Sequence, residues 1–109
     1  MKVSFLPEVF EYFDNLARIL HKKGYFGFKE TARKYVIDLI YDIEITLPAI
    51  PSKPAPEHFE KYGKNMEYAV FKKSKHTHWY VFFRVYKKNG EDIYQIRYIA
   101  NNHTVAQYL

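Results

Sequence analysis

The residues best equipped to move protons lie near the carboxyl end of the chain. Asn101-Asn102-His103-Thr104 follows an apolar, strand-like run, and Tyr108 comes four residues later, just before Leu109. An imidazole with a reference pKa of about 6.5 can give or take a proton near neutral pH. A phenol, ordinarily near 10, needs nearby cations to act as a base. Two amides beside them can contact a substrate or cap a turn. A second polar group, Lys72-Lys73-Ser74-Lys75-His76-Thr77-His78, lies between two apolar runs. His76 and His78 are spaced i, i+2, so both can face one way. A zinc site would need further ligands at suitable spacing, and none accompanies them. These residues together suggest a reaction centre at a sheet edge, with His103 and Tyr108 sharing one spot on a bare, cation-rich surface.

Three runs must position these groups: Tyr68–Lys73, Trp79–Tyr86 and Ile93–Ile99. Side chains alternate across a strand. In the second run Trp79, Val81, Phe83 and Val85 share one face, and Tyr80, Phe82, Arg84 and Tyr86 the other. In the third run Tyr94, Ile96 and Tyr98 oppose Ile93, Gln95, Arg97 and Ile99. A mid-strand arginine is costly if buried without a partner. Arg84 and Arg97 are therefore expected on an open face, or paired with helix carboxylates. If they share a side, they form a two-arginine floor lined by Tyr80 and Tyr86. Asn89-Gly90 between the second and third runs is a strong hairpin signal.

Upstream, residues 2–6 read as a first strand. Val9, Phe10, Phe13, Leu16, Ala17 and Leu20 make the stripe of an amphipathic helix that starts after Pro7 and stops at Gly24. Its acids (Glu8, Glu11, Asp14) come early and its bases (Arg18, His21, Lys22, Lys23) late, in keeping with the helix dipole. A second helix from about Lys29 carries Ala32, Tyr35, Val36, Leu39, Ile40, Ile43 and Leu47, and Pro48 ends it. The short link predicts an antiparallel helix hairpin. Pro48, Pro51, Pro54 and Pro56 force an extended connector, and residues 56–62 form one helical turn before Gly63. His21 and His58 read as surface residues. The predicted fold class is α+β. An N-terminal strand and a helix hairpin pack on one face of an antiparallel sheet in the order β-α-α-β-β-β, with the other face open.

The 109 residues make a single domain, 1–109, with enough length for a real core. There is no cysteine, so disulfides and thiolate metal sites are excluded. No stretch approaches the ~20 apolar residues of a membrane span, and the amino terminus lacks a signal-peptide pattern. A soluble cytoplasmic protein is expected. Seventeen Lys and Arg against twelve Asp and Glu give a net charge of +5, and residues 68–86 contain four cations, two histidines and no acid. Such a local excess concentrates polyanions, whether phosphate backbone or an acidic protein. Ser4, Ser52 and Ser74 lack the context of a nucleophile elbow. The four glycines are scattered, so no phosphate-cradling loop is present and no cofactor is expected.

The element order, the Trp79-Tyr-Val-Phe-Phe83 strand and the ending Ile96-Arg-Tyr-Ile-Ala-Asn-Asn-His-Thr-Val-Ala-Gln-Tyr-Leu109 resemble the RelE/ParE toxin superfamily. These are the toxin (plasmid-stabilisation) halves of bacterial type II toxin–antitoxin pairs. The resemblance spans nearly the whole chain in element order, and residues 68–109 in motif detail. It implies a cytoplasmic toxin neutralised by a cognate antitoxin. Its activity would be ribosome-dependent mRNA cleavage by metal-free acid–base chemistry. The alternatives are a non-enzymatic inhibitor of DNA gyrase, or an inactive protein of toxin fold. Carried onto this chain, the resemblance implies catalytic roles for His103, Arg97, Tyr108 and Lys72. Substrate contacts would come from Lys73, Lys75, His76, His78, Arg84 and Asn102, with no metal. One departure is plain: Asn101-Asn102-His103 stands where such ribonucleases often carry an arginine. That removes a fixed cation from the phosphate site and leaves His103 to serve when protonated.

Overall fold

The first helix, α1 (Pro7–Lys22), begins with proline at its first turn, where a missing N–H costs nothing, and carries Glu8 there and His21 and Lys22 in its last turn. It stops at Gly24, whose φ of +80° is cheap for glycine. Gly24 N–H donates to the His21 carbonyl at 3.1 Å and Tyr25 N–H to the Leu20 carbonyl at 3.0 Å, which closes a Schellman cap. The second helix, α2 (Lys29–Thr46), buries Ala32, Val36, Leu39 and Ile43, and a short 3₁₀ turn over Leu47–Ala49 follows. The two helices pack as the expected hairpin. Among the described residues, no helix is long and apolar enough to cross a membrane. The computed structural model of the chain describes the backbone of residues 1–109 and every side chain except those of Thr104 and Ala106.

The sheet has five strands in the order β1-β5-β4-β3-β2. They are β1 (Lys2–Phe5), β2 (Lys53–Pro54), β3 (Glu67–Lys72), β4 (His78–Lys88) and β5 (Glu91–Asn101). β3, β4 and β5 form the predicted antiparallel meander, and Asn89 and Gly90 turn with φ of +53° and +78°, the signs a two-residue type I′ hairpin needs. Two features depart from the all-antiparallel expectation. β1 runs parallel to β5, pairing Lys2 with Ile93 through Phe5 with Ile96. The proline connector adds β2, antiparallel to β3 at the sheet's edge, a place that tolerates proline because its outer side needs no ladder hydrogen bond.

The face beneath the helices holds the larger core, which includes Phe13, Leu39, Ile43, Trp79, Val81, Phe83, Ile96 and Ile99. Trp79 is buried, and its indole N–H donates to the Tyr35 hydroxyl at 2.9 Å.

The opposite face is open only in part, which corrects the sequence reading: Val70, Arg84 and Tyr86 on it are exposed, but its middle is covered. A 3₁₀ helix over Glu57–Tyr62 and the carboxyl-terminal tail lie across it. The tail comprises α3 (Asn102–Val105) and a 3₁₀ turn over Ala106–Tyr108. Phe59, Met66, Phe82, Ala100 and Val105 form a second buried cluster there. Phe59 stacks on Phe82 with ring centroids 4.3 Å apart. Phe82 is apolar and sits mid-strand, so leaving it bare would forfeit the free energy of burying a large ring.

A second correction concerns β5. Phe82 pairs with Tyr98 but Phe83 pairs with Ile96, so Arg97 is an extra residue in a bulge. Strict alternation therefore fails beyond Ile96. Ile99 packs in the helix-side core with Ile96, while Tyr98 joins the second face. A one-residue slip of this kind turns every later side chain to the other side.

If the second face is a true core, Phe59→Ala lowers unfolding free energy by about 3–5 kcal/mol, the usual cost of emptying a buried phenylalanine site. Denaturant melts of the two proteins measure this. A change within about 0.5 kcal/mol, the range of ordinary surface substitutions, contradicts it.

Candidate functional site

The hydrogen-bond ladder places Lys72 on β3 opposite His78 on β4, and Trp79 on β4 opposite Asn101 on β5. Asn102, the first residue of α3, follows Asn101 directly and lies beside His78. Its side chain clamps the β3–β4 link. The His78 backbone N–H donates to Asn102 Oδ1 at 3.0 Å, and Asn102 Nδ2 donates to the His76 carbonyl at 3.3 Å. His103 follows, exposed, with its backbone N–H donating to Asn101 Oδ1 at 2.9 Å. The link itself is tightened by Lys73 and Ser74 N–H groups donating to the Thr77 carbonyl. One end of the sheet thus gathers Lys72, Lys75, His76, His78, Asn102 and His103. Neighbouring strands lie about 4.8 Å apart, so the ends of β3, β4 and β5 together span about 10 Å. That width suits a phosphodiester and its flanking sugars.

Four sequence-predicted residues lie elsewhere. Tyr108 does not meet His103: its ring stacks flat on His58, centroids 3.6 Å apart and planes within 5°. The tail must cross the second face to cover Phe59, and this carries the phenol away from the imidazole. Lys73 pairs with Asp42 of α2 at 2.6 Å, on the helix side. Arg84 is exposed in the far half of β4, opposite Gln95. It makes no floor with Arg97, because the bulge separates the two registers.

Arg97 is half-buried against the 57–62 turn. Its Nη1 donates to the Tyr62 carbonyl at 3.4 Å, its buried Nε has no hydrogen-bond partner, and no salt bridge among the described residues engages it. Gly63 makes this approach possible: a Cβ there would stand 2.9 Å from Arg97 Cδ. The guanidinium lines a cavity of about 440 Å³ with Glu8, Tyr12, Lys61, Tyr62 and Tyr98.

Tyr62 and Tyr98 stack at 3.9 Å. Burial pushes the Tyr12 phenol up to about 12. Burial, then the adjacent Tyr62 hydroxyl, and least Tyr12, push Tyr98 up to about 12 as well. Both phenols stay protonated at neutral pH, so in this cavity they donate hydrogen bonds and do not abstract protons. Neither this tyrosine cluster nor the His58–Tyr108 stack was foreseen from sequence. The one local sign was Gly63, a glycine standing directly after a predicted helical turn.

Two outcomes follow from this geometry. Asn102→Ala removes two hydrogen bonds, each worth about 0.5–1.5 kcal/mol net, and should speed hydrogen exchange at the His78 amide while leaving β3–β5 amides protected. Unchanged exchange at His78 contradicts the clamp. For Tyr12 and Tyr98 the folded pKa of about 12 exceeds the ordinary 10.0. The unfolded chain therefore loses these protons first, so stability is intact below about pH 10 and falls as pH rises toward 12. The double variant Tyr12→Phe, Tyr98→Phe should unfold at higher pH than the parent in alkaline titrations followed by circular dichroism. An unchanged or lower midpoint contradicts the assignment.

The chain matches no protein-family model, no curated protein and no solved structure.

Proposed function

We propose that this chain is the toxin of a type II toxin–antitoxin pair and acts on RNA as a ribosome-dependent mRNA endoribonuclease. The observation that carries the reading is the Asn102 clamp. It brings the basic β3–β4 link and the histidine beyond β5 to one end of the sheet. His78 and His103 are the proton-transfer pair in this reading, one taking the 2′-hydroxyl proton and the other giving a proton to the 5′ leaving oxygen. The 2′ oxygen attacks the adjacent phosphorus as the bond to the 5′ oxygen breaks. Lys72 and Lys75 hold the charge that grows on the phosphoryl oxygens, usually the largest single contribution to such a reaction. Tyr108 has no part in it, being stacked on His58. Arg97, set under the 57–62 turn, acts at most through the neighbouring cavity. A cognate antitoxin would neutralise the chain by covering this end of the sheet or the helices.

A second reading, a non-enzymatic inhibitor of DNA gyrase, has one observation in its favour. Ile37, Tyr41 and Ile45 recur every four residues on the outer side of α2 and are all exposed, which leaves an apolar stripe fit for a protein partner.

Expression without an antitoxin should halt translation and leave cleaved transcripts. His78→Ala with His103→Ala should lower cleavage by about 10²–10⁴-fold, the usual worth of acid–base groups, with the melting temperature unchanged. Full cleavage by that double variant removes the proposed site. Intact transcripts together with inhibited supercoiling decide for the second reading.

A further inference from the structure

The tip of the helix hairpin carries a cluster of cations that the clamp does not use. The last turns of α1 and the first turns of α2 enclose a groove of about 350 Å³ lined by Ala17, Arg18, His21, Lys22, Lys29 and Arg33, with no carboxylate in its wall. Arg18 and Lys22 are four residues apart on α1, and Lys29 and Arg33 four apart on α2, so each pair shares one helix face. Among the described residues, no salt bridge engages any of the four. The side chain of Arg18 donates to Asn15, which holds it without neutralising it. Like charges held this close cost free energy unless an anion joins them.

The helix link adds a second, independent feature. Of its three rings only Phe26 packs inward, 5.3 Å from Tyr35. Tyr25 and Phe28 stand outward, each 70% exposed. Apart from their own chain neighbours, no heavy atom lies within 4 Å of where a Cβ would sit on Gly24 or Gly27, so the backbone there faces open space. Among the described residues, neither of these two rings packs against another aromatic ring, which leaves both faces free. A charged groove that tracks a phosphate backbone, with flat rings at its rim for bases to stack on, is the arrangement that binds single-stranded nucleic acid.

We propose that the tip of the helix hairpin is a single-strand nucleic-acid contact. Arg18, Lys22, Lys29 and Arg33 hold the phosphodiester backbone, and Tyr25 and Phe28 stack on bases. The proposal holds whether or not the chain is a toxin, and its residues are distinct from those of the sheet end. An acidic peptide would use the cations but not the ring faces. An anionic membrane would use both, but its headgroups lie in a plane and do not enter a groove between two helices.

The test is fluorescence anisotropy of a labelled twelve-nucleotide single strand with the full chain. A 2′-O-methyl backbone blocks cleavage and so separates this binding from any nuclease activity. Binding should weaken at least tenfold in Tyr25→Ala, Phe28→Ala. It should weaken likewise in Lys29→Ala, Arg33→Ala, where the slope of log affinity on log salt falls by about 1.4, or about 0.7 for each phosphate no longer neutralised. Lys53→Ala, Lys88→Ala removes the same charge elsewhere and should change affinity less than twofold. Equal affinity in the tip variants, or an equal weakening in the control, overturns the proposal. So does capture by phosphatidylserine vesicles with no binding of the oligonucleotide.

Discussion

Burial of Phe82 is the constraint on which the rest of the molecule depends. β4 is apolar on both of its sides, with Trp79, Val81 and Phe83 toward the helices and Phe82 on the reverse, all at most 2% exposed. A helix hairpin can cover only one face of a sheet. The reverse face therefore recruits the 57–62 turn, which brings Phe59 onto Phe82, and the carboxyl-terminal tail, which brings Val105. Those segments close the middle of that face around Phe82. The polar groups are left at the sheet's end, where β3 and β5 finish, β4 begins and Asn102 reaches across to the β3–β4 link.

The bulge at Arg97 is the second determinant. It lets Ile96 and Ile99 both enter the helix-side core while Tyr98 turns to the other face. Arg97 is then displaced beneath the 57–62 turn. With Tyr12, Tyr62 and Tyr98 it lines a cavity in which two phenols stay protonated at neutral pH and a guanidinium has no ionic partner among the described residues. Gly63 is required by this arrangement, since a side chain there would collide with Arg97. The cavity is thus shaped by one strand irregularity and one glycine.

Local signals were legible in the sequence where the cause was local. The apolar stripes of α1 and α2, the Gly24 stop, the Asn89-Gly90 turn and the order of the main elements all follow from side chains within a few residues of one another. The bulge left no such trace, because Ile93–Ile99 alternates well enough to pass for a regular strand. The parallel course of β1 and the pairing of Lys53–Pro54 depend on partners some ninety and fifteen residues away in the ladder. In the candidate site, Lys72, Lys75, His76 and His78 read as one group because they are neighbours in sequence. Tyr108 and His103 are nearly as close in sequence, yet the tail's need to cover Phe59 parts them. Asn102 read as either a turn residue or a substrate contact. Its side chain in fact joins two chain segments.

On the proposed reading, the messenger lies at the sheet end and not along the outer side of α2 near Ile45. Photo-crosslinking distinguishes the two placements. A photoreactive amino acid is placed at Lys75 in one protein and at Ile45 in another, and each is irradiated on ribosomes programmed with labelled mRNA. A messenger crosslink is expected from position 75 and none from position 45. Silence at position 75, with or without a crosslink from position 45, would contradict that reading.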